Sequence, residues 1–304
     1  MAFTAFSGPA TAAAEPAARR RSPIALFLLL PGIFYLVLFF VTPLISLVIT
    51  SLQAPDPLIF GQYVNAFNWQ NYVTVLETYW PQAIRSGGYA ALATLFALLI
   101  GFPLAYFIGI TLRPYPLIQS LALVLVIAPF FISFLLRTLA WKQIFSTEGP
   151  VVGLLSAIGA MPAGSSITGT DFAVVFGLTY NFIPFMVLPI YATLVSLDLR
   201  LLEASNDLYG SPATTFRTVT LPLSAAGVMS GTLLTFIPAA GDYINASREF
   251  LGSTETTMIG NVIEANFLVL QNFPAAAALS LILMAFILVL VAAYVKRSGT
   301  EDLL

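Results

Sequence analysis

The chain has 304 residues, 59% of them apolar and 9% charged, with a net charge of −2; soluble domains carry about 25% charged residues, so this composition reads as an integral membrane protein. With no cysteine and no histidine, disulfides, thiolate nucleophiles, zinc–thiolate sites and the commonest general base are excluded. Its lysines, Lys142 and Lys296, end no phosphate-binding loop, and so small a net charge gives no pull toward a nucleic-acid partner.

Residues 1–22 are rich in Ala, Thr, Ser and Pro and close on Arg19-Arg20-Arg21. They read as a flexible cytoplasmic tail, because the apolar run that follows is too long for a signal peptide and has no small-residue cleavage site. Hydrocarbon about 30 Å thick needs roughly 20 apolar residues of helix. Six stretches qualify: residues 24–49, 84–110, 117–139, 172–197, 223–243 and 273–295. Pro43, Pro103, Pro129, Pro184, Pro189 and Pro238 interrupt them, but neighbouring helices re-satisfy the freed backbone groups. The expectation is an all-α membrane domain over residues 23–297 and a short cytoplasmic tail over 298–304.

Between the spans, residues 50–82 carry Asp56, Glu77 and the aromatics Phe60, Tyr63, Phe67, Trp69, Tyr72, Tyr79 and Trp80, which suits a loop at the membrane–water interface. Residues 151–155 read as a short interfacial helix followed by a Gly/Ser/Thr loop. Orientation follows from the basic residues. A cytoplasmic N-terminus puts Arg19, Arg20, Arg21, Arg113, Arg200, Arg217, Lys296 and Arg297 inside, and leaves Arg85, Arg137, Lys142 and Arg248 at the outer side. Both termini are therefore expected in the cytoplasm.

Between the fourth and fifth spans, residues 198–222 read as two short helices. Leu201, Ala204 and Leu208 share one face at helical spacing. Gly210 is the expected left-handed residue that closes the first helix. Ser211 offers an N-cap with Pro212 at the first helical position, and Pro222 is expected to restart the chain into the fifth span. A polar helix-turn-helix on the cytoplasmic face is a candidate docking element for a soluble partner, with a solvated connector at the headgroups as the alternative.

Glu203-Ala204-Ser205, with Val219-x-Leu221-Pro222 downstream, resembles the EAA loop of ABC-importer permeases. Ser205 replaces the second alanine of that motif, and Tyr209 occupies the motif's glycine position, with Gly210 one place later. The resemblance implies a type I importer permease (MetI-like) fold of six transmembrane helices, in a multi-pass protein of the bacterial inner membrane. It implies that the loop, with Glu203, Ala204, Ser205, Asp207 and Gly210, contacts an ABC ATPase dimer. ATP and Mg would bind on that partner, leaving this chain a transport subunit without cofactor or enzymatic site. It also implies a second homologous permease subunit and an extracytoplasmic solute-binding protein. Phe236-Ile237-Pro238-Ala239-Ala240-Gly241-Asp242-Tyr243 and Met258-Ile259-Gly260-Asn261-Val262-Ile263 narrow the likeness to spermidine/putrescine permeases of the PotB type. Permeases for thiamine, iron or other solutes share parts of this pattern. An ion-driven secondary transporter is a further alternative, although such a carrier has no need of the loop.

Polyamines are flexible polycations, so their path should combine carboxylates with aromatic faces. Asp56, Glu77, Glu148, Asp171, Asp242, Glu249, Glu255 and Glu264 fall on the outer side. Against four basic residues they make a mouth of net charge about −4, which concentrates cations. Asp242, Tyr243, Glu264 and Asp171 are the expected path residues; for Asp242 the reason is that an ionisable group at membrane depth usually faces a cavity or a partner, with a helix-end carboxylate at the interface as its alternative, and for Glu264 the alternative is a salt bridge to Arg248. Arg137 is expected to snorkel or to pair with one of these acids.

Overall fold

The computed structural model describes residues 23–59, 61–162 and 164–297. The expected tails, residues 1–22 with Arg19–Arg21 and residues 298–304, lie outside the described residues, as does Phe60. The chain divides into two units at Leu47–Val48. In the first lies most of helix α1 (Phe27–Ser51), long and apolar enough to cross a membrane.

The second unit holds α2 (Gln70–Thr111), the longest helix at 42 residues. At 1.5 Å per residue it is about 63 Å long, roughly twice the hydrocarbon thickness. The expected interfacial loop is thus helical from Gln70 onward. Its remainder pairs Gln53–Pro55 with Tyr63–Asn65 in a two-stranded antiparallel hairpin. The Tyr63 hydroxyl donates to the Gln271 carbonyl at 3.0 Å and ties this hairpin to the connection before the last helix.

The third expected span is not one rod. Helix α3 (Pro116–Phe131) breaks at Ile132 and Ser133, and the chain resumes at an angle of 94° as α4 (Phe134–Phe145) and α5 (Pro150–Ala157). Pro129 lacks the N–H that would continue the ladder; the chain tightens into a 3₁₀ turn and turns extended at Ile132. Helix α6 (Asp171–Ser196) follows the expected fourth span closely. After α7 (Arg200–Asp207), α8 (Pro212–Leu223) continues through Pro222, and the 66° bend into α9 (Ala225–Ala240) falls at Ser224 instead. Helices α10 (Ile259–Val269) and α11 (Phe273–Arg297) complete the chain. Among the described residues four helices are long enough to span singly, and counting each of the two bent pairs as one span brings the number to six.

Helix α6 is the centre of the second unit. Val174, Leu178 and Phe182 bury against Tyr89, Ala90 and Ala93 of α2 and Ala239 and Ala240 of α9. Deeper, Met186, Val187, Ile190 and Leu194 meet Ala97, Phe102 and Ala105. Lipid tails are as apolar as these side chains, so close backbone approach over small residues holds the helices together. On α9, Gly227, Gly231, Thr235 and Ala239 are all buried, one turn apart. A Cβ on Gly231 would lie 2.9 Å from Met186 Sδ and 3.0 Å from its carbonyl oxygen.

Candidate functional site

The loop of residues 198–222 forms as two helices joined by a tight turn. Asp198 accepts the Arg200 backbone N–H at 3.0 Å and starts α7. At its other end the Gly210 N–H reaches back to the Ser205 carbonyl at 2.9 Å, the six-to-one bond of a Schellman closure. In that motif the left-handed residue precedes the donor, and it is Tyr209, at φ 58°, not Gly210 as expected. Gly210 is required for another reason. A Cβ there would lie 2.7 Å from both the carbonyl oxygen and Oγ of Ser205, and 3.3 Å from Thr215 Oγ1. The Ser205 and Thr215 hydroxyls are themselves hydrogen-bonded at 2.8 Å, locking α7 to α8. The serine in place of alanine therefore adds a tie. Ser211 caps α8 as expected, accepting the Thr214 N–H at 3.2 Å.

Glu203, Ala204 and Asp207 are exposed, as are Leu201 on the apolar face of α7, 47% accessible, and Leu208 and Tyr209 in the turn that follows it, 82% and 98% accessible. The other half of the loop faces the helices. Phe216 packs edge-on against Phe102 and Tyr106 of α2, with ring centroids 5.4 and 6.4 Å apart, and Arg113 donates to the Leu197 carbonyl at 2.9 Å. The Ser205–Thr215 bond thus joins α7 to α8, and Phe216 joins α8 to α2.

At the other end of α6, the two sequence stretches flanking the last loop meet. The Ile259 N–H donates to Ser86 Oγ of α2 at 2.7 Å, Asn261 Nδ2 donates to the Tyr243 carbonyl, and a Cβ on Gly260 would lie 2.6 Å from the Gly241 and Asp242 carbonyl oxygens. Tyr243 and Glu264 line a single cleft of about 780 Å³, together with Ser247, Arg248, Glu249 and Asn261. Burial, then the negative charge of Glu249, raises the Glu264 carboxyl above its ordinary range.

The other two expected path residues do not join them at the cleft wall. Asp242 is 7% exposed and accepts the Asn245 backbone N–H at 2.8 Å and its Nδ2 at 3.2 Å. Asn245 Oδ1 in turn accepts from Asn181 Nδ2 at 3.1 Å, which also donates to Thr138 Oγ1 at 3.2 Å. This chain joins the last loop to α6 and α4. Asp171 opens α6 and accepts the buried Tyr89 hydroxyl at 2.6 Å. Among the described residues Arg137 meets no acid; it is buried rather than snorkelling, 5.7 Å above the Phe134 ring. Asn181 and Asn245 were not among the expected site residues. An asparagine inside the apolar run of the fourth span was the available signal.

The chain is 32% identical over 265 residues to the spermidine/putrescine transport system permease protein PotB of Haemophilus influenzae, covering 87% of this chain and 90% of the relative. It is 34% identical over 250 residues to the protein of that name in Escherichia coli, covering 82% and 88%. The chain belongs to the PotB family of ABC-transporter permeases. No family model matches it. Among solved structures, a chain of a bacterial ABC transporter that imports the acidic polysaccharide alginate superposes with TM-score 0.64 at 18% identity, over 90% of this chain and 94% of that one. The same transporter with a periplasmic protein bound to alginate pentasaccharide gives 0.61 at 18% identity, over 92% and 94%. The fold is therefore that of an importer permease, and the chain is a transport component of the bacterial inner membrane acting within an ABC-transporter complex. The secondary-transporter alternative falls with that membership.

Proposed function

We propose that this chain forms half of an ATP-driven import path for a polyamine such as spermidine or putrescine. A second, homologous permease subunit supplies the other half, and an extracytoplasmic binding protein delivers the solute. The chain carries no ATPase site: ATP and Mg bind on a separate ATPase dimer that docks on residues 198–222. Both termini lie in the cytoplasm with that loop, and the membrane domain runs over residues 23–297.

The observation that carries the reading is the exposed apolar face of α7, set in a motif-bearing loop whose far side is packed on the transmembrane helices. Relatives named as spermidine/putrescine permeases support the substrate. So does the cleft where Tyr243 meets Glu249 and Glu264: a carboxylate beside an aromatic face compensates an ammonium leaving water. Asp242 sets the shape of the loop behind that cleft, and Asp171 anchors the outer end of α6.

The test is isolation of the intact membrane complex through a tag on this chain. Copurification of an ABC ATPase and a second permease is expected, with no ATP hydrolysis by this chain alone. Hydrolysis by the isolated chain, or its isolation without an ATPase, overturns the reading.

A further inference from the structure

We propose that Tyr209 is the ring by which this permease selects its own ATPase subunit, seated in an apolar socket with a basic rim. The inference rests on the coupling role of residues 198–222 and goes beyond it by assigning partner choice to one side chain. Tyr209 stands at φ 58°, a backbone conformation that glycine adopts freely and that side-chain-bearing residues rarely hold. Its side chain is 98% exposed, so its ring gives the isolated chain almost no packing in return. The turn itself needs only a left-handed residue, and the related motif places glycine there. A costly residue with no benefit to its own fold points to a contact outside the chain.

The neighbourhood defines the chemistry of that contact. Leu208 extends the apolar surface, 82% exposed, and Glu203 and Asp207 put two exposed carboxylates on the helix that leads into it. A large aromatic anchor inside a charged rim is the usual make-up of an interface hot spot. Its complement is an apolar pocket edged by Lys or Arg. The ATPase is the occupant because the same loop is locked through Ser205–Thr215 to the segment that packs on α2.

The experiment uses the complete transporter, purified through the permease, and reads the ratio of ATPase to permease retained after washing. Tyr209→Gly is expected to lower that ratio at least threefold, in detergent and in lipid nanodiscs. Tyr209→Phe should retain the wild-type ratio, and the amount and thermal midpoint of the inserted Tyr209→Gly permease should equal or exceed wild type. Wild-type retention by Tyr209→Gly in both media overturns the proposal and leaves the ring to lipid headgroups. Leu208→Asp separates the two levels of the argument. If it releases the ATPase while Tyr209→Gly does not, only the selection role of Tyr209 fails; if neither does, the coupling role of the loop fails as well.

Discussion

Replacing Gly210 with valine tests the mechanics of the coupling turn. The new Cβ would sit 2.7 Å from the Ser205 carbonyl oxygen and its Oγ, about 0.6–0.9 Å inside ordinary carbon–oxygen contact, which lies at roughly 3.3–3.6 Å. Relief requires α7 to move away from α8, because one clashing atom is backbone. Overpacking of this kind costs about 1–3 kcal/mol, and parting the helices adds the loss of the Ser205–Thr215 hydrogen bond, about 0.5–1.5 kcal/mol. Since that bond links α7 to the segment packed on α2, the expected phenotype is uncoupling. The complex assembles and hydrolyses ATP, while uptake in proteoliposomes falls about tenfold. Combining Gly210→Ala with Ser205→Ala removes the Oγ clash and leaves the carbonyl clash, so the pair should not restore uptake. Wild-type uptake by Gly210→Val would refute the close-approach argument.

Three further outcomes follow from the outer end. Asp242→Asn removes charge and also turns an amide donor toward Asn245 Nδ2, an unmade buried bond worth about 1–3 kcal/mol; polyamine uptake should fall severalfold, with a lower thermal midpoint. The exchange Asp242→Asn with Asn245→Asp keeps each hydrogen bond complementary, so the midpoint should return, and failure to return would show that the network is not what Asp242 supports. Gly260→Ala should loosen the last loop, read as faster amide hydrogen exchange over residues 241–258, because its Cβ meets two backbone oxygens at 2.6 Å; unchanged exchange would discount that clamp. Glu264→Gln should weaken spermidine uptake more than putrescine uptake, the longer polycation having more charge to compensate, and equal uptake of both at wild-type level would remove the cleft from the path.

Much of this architecture was legible in the chain itself. Asp171–Ser196 and Phe273–Arg297 emerge within two residues of the expected spans, because an unbroken apolar run of that length has one stable arrangement in lipid. The bends were not legible. Pro184 and Pro189 sit inside an intact α6, whereas Pro129 precedes a 94° break; the outcome turns on whether neighbours re-satisfy the freed carbonyls, which is tertiary information. The turn of residues 198–222 was read to within one residue, and the bend into the fifth span to within two. Its left-handed position fell on Tyr209 rather than Gly210, because a Schellman turn counts from the helix end and propensity alone points to the glycine. The outer site was least visible. The carboxylates could be counted, but only the fold shows that Tyr243 and Glu264 share a cleft while Asp242 is held behind it by Asn245.

The most direct measurement is uptake of labelled spermidine into proteoliposomes holding the complete transporter, with and without ATP inside its accessible compartment. The account predicts uptake that needs both hydrolysable ATP and the binding protein, is competed by excess putrescine, and disappears when this permease is omitted. Accumulation without ATP, or a complete complex that carries another solute and ignores polyamines, would contradict it.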